Sequence, residues 1–133
     1  MKINKVLCVA VIVGVGIGVA GCKTAEQKVM ESGSKPMTQA ELQKEHSRDR
    51  MVEWSSTNGS GTASYMADGT ASVSWGSGSD TGKWWIADGK FCQKWMQARG
   101  GSENCYTTYR IGENRYERFS AEGSMNSRFA FTN

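Results

Sequence analysis

Few residues in this chain could do chemistry. Its 133 residues include one histidine, His46, and four cysteines, Cys8, Cys22, Cys92 and Cys105. Covalent catalysis needs a nucleophile, a base beside it and a group that orients the base. No spacing around His46 supplies that set; it falls at the polar end of a short helical stretch and reads as a solvated side chain. Asp68 and Asp88 each precede a glycine. Aspartate there tolerates turn backbone and bonds to it, so the two read as turn residues and not as an acid–base pair. Cys92 and Cys105 would need further ligands to hold zinc, and no spacing rule ties His46 to them. The expectation is a non-enzyme with no catalytic residue, no metal and no cofactor.

Cys22 differs because of what precedes it. Residues 1–22 read Met-Lys-Ile-Asn-Lys, an apolar run from Val6 to Ala20, then Gly21-Cys22. A basic start, a short apolar core and small residues before a cleavage point make a secretory signal peptide. The run is too short for a transmembrane helix, which needs about 20 apolar residues. Gly16-Ile17-Gly18-Val19-Ala20-Gly21 matches a dinucleotide-binding fingerprint in letters. That fingerprint requires a βαβ unit around it, and here it lies inside the export signal. Val19-Ala20-Gly21-Cys22 resembles the lipobox of bacterial lipoproteins. The resemblance implies a diacylglyceryl group on the Cys22 sulfur, cleavage before Cys22 and acylation of the new amino end. It places the chain in the cell envelope, anchored to the lipid bilayer. Lys23 stands where an Asp would be the usual inner-membrane retention signal in enteric-type bacteria, which implies the outer membrane if the organism is Gram-negative. In such an oxidising compartment Cys92 and Cys105, the pair left over, are expected to form a disulfide on adjacent strands.

Removing residues 1–21 leaves 112 residues, room for one small domain. Lys2 and Lys5 leave too, so the formal charge falls from +3 to +1. That balance excludes the basic patch of a nucleic-acid binder. Residues 22–37 are polar and aperiodic and read as a flexible tether. Thr38-Gln39-Ala40-Glu41 matches a capping box and predicts a short helix from Gln39 to about Arg48. Residues 38–133 read as one small β domain with this short helix leading it. Short alternating runs cover 51–56, 62–67, 70–75, 81–87, 90–97, 103–110, 115–120 and 125–131, divided by turns such as Asp68-Gly69 and Asp88-Gly89. Asp-Gly between alternating runs is a strong hairpin signal. The predicted fold is all-β with one short N-terminal helix: an antiparallel meander of about eight strands, closed as a lipocalin-like barrel or left as a half-open roll. None of these runs reaches the 9–11 residues of a membrane-spanning strand. Alternation assigns Ala71, Val73 and Trp75, then Trp84 and Ile86, then Phe91, Gln93 and Trp95, and Phe129 and Phe131 to the core.

Gly82-Lys83-Trp84, Asp88-Gly89-Lys90-Phe91-Cys92-Gln93-Lys94-Trp95 and Cys105-Tyr106 together resemble an uncharacterised family of small exported bacterial domains, with the pattern G-x-W, F-C-x-x-W and C-Y. Thr38, Leu42 and the repeat Gly61-Thr62-Ala63 and Gly69-Thr70-Ala71 fit as well. The resemblance covers about residues 38–131 and implies a β-rich fold with a disulfide, but no activity. A looser likeness to lipocalin-like and lysozyme-inhibitor lipoproteins concerns architecture alone.

Aromatic and basic residues exceed what one small interior needs. Trp85, Tyr106, Arg110, Arg118 and Arg128 form a candidate binding face, because Trp, Tyr and Arg anchor interfaces; the alternative is ordinary packing of Arg stems over rings on the sheet exterior. The expected function is a non-catalytic binding module at the envelope with an unknown envelope protein or glycan as partner. The alternatives are an inhibitor or scavenger of a foreign protein or glycan, and a purely structural envelope protein. Replacing Cys22 by Ser is expected to abolish incorporation of labelled palmitate and leave an unprocessed or soluble form. Incorporation that survives the substitution contradicts the lipobox reading.

Overall fold

A computed structural model describes residues 23–133; residues 1–21, expected to be a signal peptide, and Cys22 lie outside the described residues. Eight strands follow one another around a closed antiparallel barrel, each paired with its neighbours in sequence and β8 closing on β1. They are β1 (Arg50–Ser56), β2 (Gly59–Tyr65), β3 (Thr70–Trp75), β4 (Gly78–Ala87), β5 (Lys90–Trp95), β6 (Glu103–Gly112), β7 (Arg115–Phe119) and β8 (Met125–Phe131). Closure removes the unpaired edges that an open roll would expose. Of the two predicted arrangements the barrel is the one adopted.

Two strands are longer than alternation suggested. β4 starts at Gly78 and β6 runs to Gly112, so both reach ten residues. Their outward positions include Ser79, Thr81, Lys83, Glu103 and Thr107 beside Trp85 and Tyr109, while Trp84, Ile86 and Tyr106 take the inward register. The outer wall of these strands is thus mainly polar, unlike the continuous apolar band of a barrel that faces lipid. Glycine shapes how closely the strands approach. At Gly61, between Trp54 and Trp75 in register, an added Cβ would run into the Ser74 carbonyl. At Gly82, between Ala71 and Trp95, it would run into the Lys94 carbonyl. These glycines let neighbouring strands cross closely while a large ring from the partner strand fills the inner space.

The interior alternates as predicted except at Trp75, assigned to the core but exposed at the end of β3. Val52, Ala63, Tyr65, Ala71, Phe91, Trp95, Tyr116, Phe129 and Phe131 form one buried cluster, joined by Met37 and Leu42 from the N-terminal segment. Helix α2 (Gln39–Glu45) carries the predicted capping box: the Thr38 hydroxyl accepts from the Glu41 amide at 3.2 Å, and Glu41 accepts from the Thr38 amide. It ends at His46, earlier than the predicted Arg48.

Residues 23–37 are not a featureless tether. Helix α1 (Ala25–Glu31) is capped by Thr24 and Gln27 in a second capping box. The Glu26 amide donates to the Gly123 carbonyl, and Pro36 bridges Tyr109. The Met37 amide donates to the Thr108 carbonyl at 2.8 Å. β6 pairs with β5 only through residues 103–106, so its later half has a free side, and Pro36-Met37 supplies the missing backbone partner there. Tyr109 and Phe119, packed edge to face at 5.4 Å, point outward on the same side of the barrel. Burial, then the Glu26 carboxylate, push the Tyr109 phenol above its ordinary pKa.

Cys92 and Cys105 form the expected disulfide, directly opposite each other on β5 and β6 with Cα atoms 4.0 Å apart. The bridge ties the hairpin whose connection, Ala98–Gly101, is a 3₁₀ turn with Arg99 and Gly100 in left-handed backbone. A loop of 13 residues in sequence separation is worth about 3 kcal/mol in chain entropy. The double substitution Cys92→Ala, Cys105→Ala is expected to lower the thermal midpoint by roughly 10–20 °C, from that energy and the sensitivity of a domain this small. An unchanged midpoint contradicts the assignment.

Candidate functional site

The barrel has one sealed end and one open end. The connections after β2, β4 and β6 lie with α2 at the sealed end. His46, at the foot of α2, is inserted there among Phe91, Trp84, Tyr65 and Phe131, with ring centroids 4.9–5.8 Å away. Arg50 lies beside it, its guanidinium 3.7 Å from the Phe131 centroid and paired with Glu45 at 3.0 Å. Burial first, then the charges of Arg118 and Arg50, lower the His46 pKa to about 3. His46 is thus a neutral plug in the core and not the solvated helical side chain expected from its polar neighbours.

The other end opens into a pocket of about 210 Å³. Trp54, Ala63, Val73, Trp75 and Trp95 supply apolar walls, Arg99 and Asn126 stand at the rim, and Tyr65, Gln93 and Arg118 are the polar lining inside. Asp80, whose register also faces inward, is held at the rim by amides of Gln97 and Ala98 at 2.9 and 2.8 Å. Those amides, Ala98 first, hold its carboxyl below the ordinary carboxylate pKa.

Arg118 is the unusual member. It is 3% exposed, and its guanidinium lies over Phe91 and Phe129, 4.0 and 4.2 Å from their centroids. Nη1 donates to the Tyr65 hydroxyl at 3.2 Å, while Nε and Nη2 are buried without a partner. Its cross-strand neighbours, Thr108 and Ser127, carry no charge. Guanidinium cannot deprotonate. Effective desolvation costs several kcal/mol per ion, and cation–π contact returns about 2 kcal/mol per desolvated ring. Each donor left unsatisfied costs about 1–3 kcal/mol, so the site remains short of a partner. Gln93 Oε1, Tyr106 Oη and Thr108 Oγ1 are likewise buried without hydrogen bonds. Gln93 lies close enough to favour the Tyr106 phenolate slightly, but burial dominates and pushes that phenol up.

The predicted binding face does not exist as one surface. Tyr106 and Arg118 register with inward residues and are buried inside the barrel. Arg110 shares their inward register but lies exposed at the end of β6. Trp85 is half-buried on the outer side opposite Cys92, and Arg128 is outside, paired with Glu117 at 2.9 Å. The barrel wall separates the five because alternation sends neighbouring positions to opposite sides. A shallower groove of about 520 Å³ crosses β1, β2, β7 and β8 and includes Arg128, Arg115 and Trp54. It is larger than the mouth pocket, but it contains no buried unpartnered polar atom, and we assign the site to the mouth. Tyr65, Gln93, Trp54 and Trp75 are the site residues missed by reading outward-facing aromatics; inward parity with Ala63, Phe91 and Val73 was their signal. Among the described residues no group of three or more acidic, His or Cys side chains could hold a metal. No helix among them is long and apolar enough to cross a membrane.

No family model, no curated protein and no solved structure matches the chain.

Because His46 is neutral in the folded barrel and ordinary when unfolded, the unfolded chain binds more protons between about pH 6.5 and 3. Stability therefore falls as pH drops below 6.5, by about 1.4 kcal/mol per unit from this residue. Urea unfolding at pH 7.5 and pH 5 is expected to show a loss of about 2 kcal/mol that is largely absent in His46→Phe. An equal loss in both proteins contradicts a buried neutral His46.

Proposed function

We propose that the chain is a non-catalytic binding module, carried at the bacterial envelope by a lipid on Cys22, which takes a small ligand into the open mouth of its barrel. The observation that carries this reading is the pocket whose aromatic walls lead down to buried polar groups without partners. Concave, mainly apolar sites with a few convergent polar groups are where small molecules bind, and barrel mouths are among their usual places. The residue best suited to base chemistry, His46, supports the non-catalytic part by its place among rings at the sealed end. The polar outer wall and the dispersal of Trp85, Arg110 and Arg128 favour a ligand inside over a partner gripped by an aromatic–arginine patch outside.

The location is testable without knowing the ligand. A set of small aromatic and aliphatic probes, neutral and anionic, is expected to shift backbone NMR signals of Trp54, Val73, Gln93 and Trp95 in the full chain. Val73→Phe, which fills the pocket, should remove those shifts, while Trp85→Ala and Arg128→Ala should leave them. Shifts confined to the outer wall, or unchanged in Val73→Phe, overturn the mouth reading.

A further inference from the structure

We propose that the mouth pocket is built for a small organic carboxylate, gripped by Nε and Nη2 of Arg118 with its apolar body turned toward Trp54, Val73 and Trp95. The inference rests on the mouth reading above and names the ligand class.

The free donors decide the chemistry. Nη1 is engaged by Tyr65, and Nε and Nη2 are free. Those two N–H groups lie along one edge of the guanidinium and point the same way, the two-toothed arrangement that matches the two oxygens of a carboxylate. The guanidinium carbon lies over the Phe91 and Phe129 rings, 4.0 and 4.2 Å from their centroids, and the unengaged Nε–Nη2 edge suits a planar head group that meets it edge-on.

Charge points the same way. Among the described residues no ion pair includes Arg118. Glu45 is spent on Arg50, Glu117 on Arg128, and Asp80 on backbone amides. One monoanion would neutralise the interior. A phosphate ester would bring a second negative charge, and Arg118 offers no second free edge for it.

Size sets the limit. A pocket of about 210 Å³ holds roughly seven waters at about 30 Å³ each and falls below the usual 300–1,000 Å³ of drug-sized sites. One ring or a short chain beyond the carboxylate fits; an oligosaccharide or a long acyl chain does not.

The test is calorimetric titration of the purified full chain in non-ionic detergent with phenylacetate, its neutral analogue phenylacetamide, and phenyl phosphate. Phenylacetate is expected to bind, and the amide to bind about tenfold or more weakly, because it leaves the buried fork unmatched. Arg118→Lys keeps the charge without the fork and should lose about tenfold as well. Arg118→Met should abolish binding and raise the thermal midpoint of the ligand-free protein, since an apolar residue replaces an uncompensated buried charge. That rise distinguishes lost recognition from lost folding. Equal binding of acid and amide, retention in Arg118→Met, tighter binding of phenyl phosphate, or no heat at up to about 10 mM phenylacetate, a generous limit for weak ligands, each overturns the carboxylate proposal. Neutral probes that still bind wild type and fail in Val73→Phe would leave the mouth reading standing alone.

Discussion

A guanidinium keeps its charge wherever the fold puts it, and this barrel puts Arg118 inside. The surrounding layer is arranged around that fact. Phe91 from β5 and Phe129 from β8 lie against its guanidinium, and Tyr65 from β2 takes one of its donors. Three strands thus converge on one side chain of β7. His46 belongs to the same arrangement. It remains neutral first because it is buried, and then because two cations, Arg118 and Arg50, face the space it fills.

The two ends of the barrel divide the work. The α2 end is sealed by Leu42, His46 and the Arg50–Glu45 pair, all of them satisfied by packing or charge except isolated ring and guanidinium nitrogens. The other end keeps a pocket and leaves donors unmatched inside it. Filling the pocket with apolar side chains would be the cheaper solution for stability alone. Retaining a buried cation with a free edge is the kind of local disadvantage that a site, not a core, accounts for. The disulfide lies on the hairpin whose connection forms part of the mouth rim, so the staple and the site share β5, the 3₁₀ turn and β6.

Much of the scaffold was legible in the residues. Asp68-Gly69 and Asp88-Gly89 marked hairpins, Thr38-x-x-Glu41 marked α2, and Ala71, Val73, Phe91, Gln93 and Trp95 carried their inward parity openly. The starts of β2 and β4 were placed too late because glycine reads as a turn residue, whereas Gly59, Gly61 and Gly78 lie within these strands. The segment before Thr38 was read as a tether although Thr24-Ala25-Glu26-Gln27 carries a capping box of its own. Arg118 was picked out for the wrong side of the wall. In Arg115–Phe119 the choice lies between an inward Tyr116 with Arg118 and an inward Phe119, and composition favours the phenylalanine. Phe119 instead points outward beside Tyr109, on the side over which the N-terminal segment runs, and no local pattern announces that long-range cover. His46 went the same way: its sequence neighbours are polar, and the rings that bury it lie on strands β2, β4, β5 and β8.

The most direct measurement is a high-resolution crystal structure of the full chain grown with phenylacetate. The account predicts a planar head group in the plane of the Arg118 guanidinium, its two oxygens accepting from Nε and Nη2, with the Tyr65 contact to Nη1 kept. A fork closed by a protein carboxylate, or by ordered water with the ligand elsewhere, would contradict it.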